Sequence, residues 1–323
     1  MKNILILGRI HEAGLDILRA RSGVSFEIMA NPAEPDILTL APVADAIIVR
    51  TTKLTAAAID AAPKLKIVSR HGVGYDNVDM AALDRRGIPL TLVGNVNALS
   101  VAEHTLFMML TIAKEAIAYD RATRDGNWKL RDGFRATELS GKTLLLLGFG
   151  RIGREVAKRA QAFGMTVLAY DPYVRDTAMS AARVQPVPKL EDAISVADFV
   201  SVHLPMTPET KGIIGARQLG VMKTTAIVIS TARGGLVDEA ALADALRSGR
   251  IRAAGLDVFD DEPPAADNPL LKLDNALLSP HTAGLTEECA MRMAVVSARN
   301  ALGGLDGNLD PELVVNKHVL KRR

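Results

Sequence analysis

The stretch LLLLGFGRIGREVAKRAQAFGMTVLAYD, Leu144–Asp171, decides the fold. An apolar run, Leu144–Leu147, leads into Gly148, Gly150 and Gly153, then a segment of helical period, then a second apolar run closed by Asp171. Strand, glycines, helix, strand and acid in this order describe one βαβ unit built to hold a dinucleotide. Gly148 allows the tight turn off the strand, Gly150 lets the backbone approach a pyrophosphate, and Gly153 lets helix and strand pack closely. The helix start offers free N–H groups and a positive dipole end to the phosphates. Asp171 sits where a carboxylate accepts from the adenosine ribose hydroxyls, and it would repel a 2′-phosphate, so NAD is expected over NADP.

Outward from this unit the chain repeats the same grammar. Upstream, Asn3–Leu7, Phe26–Met29, Ala46–Val49, Ile67–Ser69 and Leu90–Val93 are short apolar runs, separated by Glu12–Arg21, Thr55–Ala62 and Met80–Arg86 with helical spacing. Downstream, Phe199–Leu204, Ala226–Thr231, Ala254–Val258 and Ala276–Ser279 read as strands, with helices near Ala216–Met222 and Glu239–Ser248 and a further helix at Ala290–Leu302. Asp238 is placed to cap the Glu239 helix. Strands alternating with helices predict parallel sheets covered on both faces. The spacing also predicts one apolar helix over Asn97–Tyr119, buried between layers or domains. Leu7-Gly8-Arg9 lacks the GxGxxG spacing and reads as a plain strand end.

With 323 residues the chain is long for one core, and two domains are expected. The boundaries fall near Asn97 and Leu285. A net charge of +2, from 39 basic and 37 acidic residues, gives no global field for nucleic acid or membrane. Cys289 is the single cysteine, which excludes an intrachain disulfide and a multi-cysteine metal site; no metal is expected. No apolar run approaches the roughly 20 residues of a spanning helix. With no signal-peptide pattern at the start, a cytoplasmic protein is expected.

Three motifs at or after strand ends carry groups suited to carbonyl chemistry. Thr231-Ala232-Arg233-Gly234-Gly235 sets an arginine beside two glycines, Glu262 precedes Pro263-Pro264, and His281 lies in Ser279-Pro280-His281-Thr282-Ala283-Gly284. An arginine fixes and polarises a substrate, a histidine moves the proton, and a carboxylate orients the imidazole. In the first half, Arg70-His71-Gly72-Val73-Gly74 follows a strand, and its two glycines let backbone N–H groups converge on an anion. Arg50 and Arg70 each follow a strand there, as guanidinium groups for the same anion.

GFGRIGREVA, VHLPMTPET, TARGGLVDEAAL, GLDVFDDEPP and SPHTAG occur in one order along the chain. In that order and spacing the chain resembles the D-isomer-specific 2-hydroxyacid dehydrogenases nearly end to end. The resemblance implies Arg233, Glu262 and His281 as catalytic residues, with Gly72, Val73 and Gly74 taking the substrate carboxylate. It implies Asp257 beside the nicotinamide carboxamide, and Arg151, Ile152, Leu204 and Thr231 as further cofactor contacts. It also implies two Rossmann/flavodoxin-like parallel-sheet α/β domains. The NAD-binding domain, 98–285, would be inserted into a discontinuous substrate domain of 1–97 and 286–323, and Asn97–Leu139 would mediate a homodimer.

SRHGVGYDNVD (69–79) and DGNWKLRDGFRATELSGKTLLLLGFGRIG (125–153) are most similar to the phosphoglycerate dehydrogenase branch. Arg50 and Arg70 match its phosphate-binding arginines, while His71 stands where that branch usually has a small residue. A short form without regulatory domains is expected. The implied activity is NAD-dependent hydride transfer between a small anionic 2-keto acid and a D-2-hydroxy acid. The candidate pair is 3-phosphoglycerate and phosphonooxypyruvate, with glyoxylate/hydroxypyruvate reduction as the alternative. A nicotinamide-binding, corepressor-like regulator is the alternative of another class. Formate dehydrogenase, which uses glutamine beside its histidine, does not fit Glu262-Pro263-Pro264.

Overall fold

The computed structural model describes residues 1–322 and divides them into two units. One comprises Met1–Asn97 with Leu285 onward, and the other comprises Ala98–Gly284.

In the discontinuous unit five strands form one parallel sheet: β1 (Lys2–Leu7), β2 (Val24–Met29), β3 (Ala46–Val49), β4 (Ile67–Arg70) and β5 (Leu90–Thr91). Their order is β2-β1-β3-β4-β5, the flavodoxin-like arrangement, with its topological switch between β1 and β3. The sheet is apolar on both faces because helices cover both. Leu5, Leu7, Ile47, Val49 and Val68 pack on one side with Ile37, Ile59 and Leu83. Ile4, Ile6, Ile48 and Ile67 pack on the other with Leu15, Leu18, Ala298 and Ala301. Helix Glu287–Asp306 thus returns to the first sheet, and Ser69 Oγ donates to the carbonyl of Ser297 at 2.9 Å. Asn316 then tethers the edge strand, accepting from the Leu90 N–H and donating to the Ile88 carbonyl.

The second unit holds seven parallel strands. These are β6 (Thr143–Leu147), β7 (Thr166–Tyr170), β8 (Gln185–Pro186), β9 (Phe199–Val202), β10 (Ile227–Ser230), β11 (Ala253–Leu256) and β12 (Ala276–Leu278). The order β12-β11-β10-β9-β6-β7-β8 is doubly wound, and the direction of winding reverses between β6 and β9. Every residue of β9, β10 and β11 is buried, as continuous apolar runs in a parallel sheet require. Asp238 caps helix Glu239–Arg247 by accepting from the Ala241 N–H at 2.9 Å.

The single helix expected over Asn97–Tyr119 is two helices. Helix Ala98–Ala113 ends before Glu115, whose φ of 54° is left-handed, and Ala116–Arg124 follows. A long-range ion pair sits at the break: Glu115 accepts from Arg252 Nη2 at 3.0 Å, beside Arg135 at 3.4 Å. No glycine or proline marks the break. Three helices lie in stretches without apolar period, Glu34–Leu40, Asp176–Ala181 and Leu190–Ile194. Among the described residues no helix is long and apolar enough to cross a membrane.

Candidate active site

Ligands of open parallel sheets bind beyond the carboxyl ends of the strands, at the switch point. In the seven-stranded unit that crevice is flanked by Gly148 after β6 and by His203-Leu204 after β9. Gly148 has φ +100°, and a Cβ there would lie 2.7 Å from the carbonyl oxygen of His203. A side chain would therefore fill the crevice. A Cβ on Gly153 would sit 2.2 Å from the Gly148 carbonyl oxygen, so this residue sets how closely helix Arg151–Ala162 approaches the turn. Around Gly150, which caps that helix, nothing lies within 4 Å of a would-be Cβ. The residues present fit a dinucleotide: open backbone at a helix N-terminus, with a carboxylate close by.

That carboxylate is Asp171. Its Oδ2 accepts from the Phe149 N–H and its Oδ1 from the Tyr173 N–H, both at 2.9 Å. Asp171 thus ties the end of β7 to the glycine turn. Phe149 is fully buried, with the Arg154 guanidinium 4.6 Å from its ring centre. Arg151 begins the helix, Ile152 packs on the core beneath it, and Leu204 and Thr231 are buried at neighbouring strand ends.

Arg233, Glu262 and His281 come together in this unit. Glu262 Oε2 lies 2.7 Å from His281 Nδ1, and Glu262 Oε1 accepts from the Phe259 N–H at 3.2 Å. Burial pushes the Glu262 carboxyl up, but the hydrogen bond and charge of His281, the Phe259 N–H and the Arg233 charge outweigh it. The carboxyl is held below its ordinary range. Arg233 Nη1 donates to the Ala232 carbonyl at 2.6 Å. Next to it, a Cβ on Gly234 would lie 1.9 Å from the carbonyl oxygen of Phe259. The arginine loop and the glutamate loop therefore touch backbone to backbone.

His281 has φ 52°, in the left-handed region that non-glycine residues seldom occupy. Asp257 holds it there. The Asp257 backbone carbonyl accepts from the His281 N–H at 2.8 Å. Its carboxylate, fully buried, accepts from Ser279 Oγ at 2.5 Å and from the Thr282 and Ala283 N–H groups at 2.8 Å. His104, on helix Ala98–Ala113, places Nε2 3.0 Å from Ser279 Oγ and 3.7 Å from Asp257. Burial lowers the His104 pKa against the opposing pull of Asp257. Sequence reasoning missed His104 and Ser279. The one available signal was a histidine on an otherwise largely apolar helix. His203 also escaped notice; it is half-buried, bonded through Nε2 to Ser201 Oγ, and desolvation pushes its pKa down to about 4.

In the five-stranded unit Arg50 follows β3 and donates to the Arg9 carbonyl at 3.0 Å. Arg70 ends β4 and donates to the His71 carbonyl at 2.6 Å. Gly72 has φ +150°, and a Cβ there would meet Arg70 Nη1 at 2.9 Å. Val73 packs on Val93, Cys289 and Met293, and Gly74 follows it. Asn77 Nδ2 donates to the carbonyls of Arg50 and Thr52, joining the loop after β4 to the end of β3.

Residues 106–283 match the family model described as D-isomer specific 2-hydroxyacid dehydrogenase, NAD binding domain. The chain is 41% identical over 317 residues to a D-3-phosphoglycerate dehydrogenase of Methanocaldococcus jannaschii, covering 98% of this chain and 60% of that one. It is 40% identical over 298 residues to a glyoxylate reductase of Korarchaeum cryptofilum, covering 91% of this chain and 89% of that protein. The chain spans 50% to 60% of the length of the phosphoglycerate dehydrogenases it matches. Among solved structures, a D-lactate dehydrogenase from Aquifex aeolicus complexed with NAD and lactic acid aligns with a TM-score of 0.88 at 30% identity. That alignment covers 97% of this chain and 99% of the other.

Proposed function

The chain belongs to the D-isomer specific 2-hydroxyacid dehydrogenases, NAD-binding oxidoreductases, and on that premise we propose that it interconverts a small anionic 2-keto acid and the corresponding D-2-hydroxy acid. The observation that carries this is the Glu262–His281 contact of 2.7 Å beside Arg233. Gly148, Gly150, Arg151, Ile152, Gly153, Asp171, Leu204, Thr231 and Asp257 would hold the dinucleotide. When bound in its reduced form, NAD supplies the hydride that the carbonyl carbon receives.

The protein's part is proton and charge. Glu262 accepts from Nδ1–H of His281, which orients the ring; in the imidazolium form Nε2–H then delivers its proton to the carbonyl oxygen, leaving the neutral Nδ1–H tautomer. Arg233 pairs with the substrate carboxylate and stabilises negative charge as it develops on that oxygen. In the oxidising direction the same nitrogen takes the hydroxyl proton. In the Gly72-Val73-Gly74 loop the Gly72 N–H is held by the Arg70 carbonyl at 2.9 Å, which leaves the Val73 and Gly74 N–H groups for the substrate anion, and Arg50 and Arg70 supply positive charge at the same loop. A regulator that only sensed nicotinamide would have no use for an imidazole oriented by a carboxylate.

Phosphonooxypyruvate with 3-phosphoglycerate is the first candidate pair, because relatives 41% and 40% identical carry that activity in their names and Arg50 and Arg70 flank the loop. Reduction of glyoxylate or hydroxypyruvate is the second, favoured by a relative of nearly the same length. NADH oxidation with phosphonooxypyruvate, hydroxypyruvate, glyoxylate and pyruvate tests both. Turnover with none of them would overturn the assignment.

The oligomer is read as a homodimer through the first two helices of the inserted unit and the segment after them. Leu99, Phe107, Ile117, Trp128 and Phe134 are exposed there, with Phe134 87% accessible. Apolar side chains exposed together on a monomer mark an interaction surface. Equilibrium sedimentation showing only monomer at micromolar concentration would remove this part.

A further inference from the structure

His71 is the group for which the reaction described above gives no account. It follows β4, and its N–H is used by the Val49 carbonyl at 2.9 Å. The residue is 4% exposed, yet neither Nδ1 nor Nε2 has a hydrogen-bond partner among the described residues. Burial, and then the charges of Arg50 and Arg70, push its pKa down to about 3. The ring is neutral at physiological pH, so it carries one N–H donor and one bare nitrogen acceptor.

A buried donor and acceptor left without partners are rare in folded proteins and ask for an explanation. Here the explanation has a location. The same strand end carries Arg70 before His71 and the Gly72-Val73-Gly74 loop after it, and Arg50 lies near enough for its charge to act on the ring. A polar group arriving at this loop would complete the imidazole's hydrogen bonding. An apolar group would leave both nitrogens stranded.

We propose that His71 is the specificity-determining residue of the substrate loop, pairing its imidazole with an oxygen on C3 of a three-carbon 2-keto acid. Resting on the 2-keto acid assignment, this sets the substrate class: C3-oxygenated acids, bearing a hydroxyl or a phosphate ester, are selected over acids with a bare methyl at C3. Two cations and a neutral N–H suit an oxygen that is negative or carries lone pairs. Sites that hydrogen-bond a substrate hydroxyl discriminate far more strongly against its absence than apolar pockets do against a methylene.

The test compares kcat/KM for hydroxypyruvate, phosphonooxypyruvate and pyruvate in the wild type, His71→Ala and His71→Gln. In the wild type the better C3-oxygenated substrate should exceed pyruvate by on the order of 100-fold or more. His71→Ala should shrink that ratio at least tenfold, and His71→Gln, which keeps an N–H and an acceptor, should recover part of it. Whichever of the two oxygenated substrates loses more in His71→Ala identifies hydroxyl or phosphate as the group read. A wild type that prefers pyruvate, or a ratio in His71→Ala unchanged within threefold, overturns the proposal. Should His71→Ala fail to fold, His71→Asn takes its place with the same criterion. Calorimetric titration of the NAD-loaded protein with D-glycerate, 3-phospho-D-glycerate and D-lactate separates the two levels. A binding preference for C3 oxygen that depends on His71, without turnover of any keto acid, sinks the activity and keeps the proposal. No such preference sinks the proposal.

Discussion

Nδ1 of His281 and Oε2 of Glu262 stand 2.7 Å apart, each on a different loop after a different strand. The contact commits the imidazole to one tautomer and leaves Nε2 for the substrate. On the proposed mechanism, replacing His281 by alanine removes the proton carrier. Turnover should fall by about 10²–10⁴, while the Kd for NADH, followed by its fluorescence, changes little. Near-normal turnover in this variant would refute the assignment.

The same pair predicts a pH response. The folded-state pKa of Glu262 is held below its ordinary value of 4.5. A depressed carboxylate contributes its interaction above the ordinary value and loses it as pH falls through the lower, folded value. Loss of the Glu262 charge therefore belongs to strongly acidic solution, below pH 4.5. The pH profile of kcat in His281-intact enzyme should show no limb from Glu262 between pH 5 and 8. Glu262→Gln should lower kcat by about tenfold or more by weakening the orientation of the ring. A Glu262→Gln profile and rate that overlay the wild type would show the contact to be ornamental.

Arg233 presents a planar fork suited to a carboxylate, and a lysine in its place offers a point charge. Arg233→Lys should therefore raise KM for the keto acid and lower kcat, with kcat/KM down by at least about 100-fold, roughly 2.7 kcal/mol of transition-state stabilisation. The split between KM and kcat separates ground-state binding from stabilisation of the developing charge. An unchanged kcat/KM would remove Arg233 from the chemistry.

Gly234 is a steric prediction. Its would-be Cβ lies 1.9 Å from the Phe259 carbonyl oxygen, against backbone rather than a movable side chain. Gly234→Ala must push apart the loops that carry Arg233 and Glu262. Activity should drop by two orders of magnitude or more, since misplacement by about 1 Å costs about 10²-fold, with a fall in Tm seen by calorimetry. A variant with wild-type activity would mean that the two loops need not touch.

Cofactor choice is predicted to rest on Asp171. Asp171→Ser removes the charge that repels a 2′-phosphate and weakens the ties to Phe149 and Tyr173. The ratio of kcat/KM for NADH over NADPH should fall at least tenfold, by loss with NADH and gain with NADPH. A ratio that does not move would assign cofactor choice to other residues.

What sequence could and could not convey follows from the range of the interactions. The glycine turn, the apolar strands and the Asp238 cap are carried by the spacing and type of neighbouring residues, so the sequence announces them even where their partners lie far along the chain. The helix break at Glu115 has its ion-pair partner in Arg252, far along the chain, and no local residue betrays it. His104 reads as one polar residue on a packing helix until Ser279 is placed 3.0 Å away. His71 is visible as a letter, but its burial and its two unpartnered nitrogens belong to the folded state alone. The helix Glu34–Leu40 buries only Ile37, too little apolar pattern to signal itself.

The Asp257 carboxylate, bound to the amides of Thr282 and Ala283, gives the catalytic loop its own clock. Both amides sit on a buried acceptor one strand away, so their hydrogens exchange with solvent only when the segment bearing His281 lifts off. Their exchange times would measure how often the enzyme lets go of its proton carrier, in the resting protein and without a substrate.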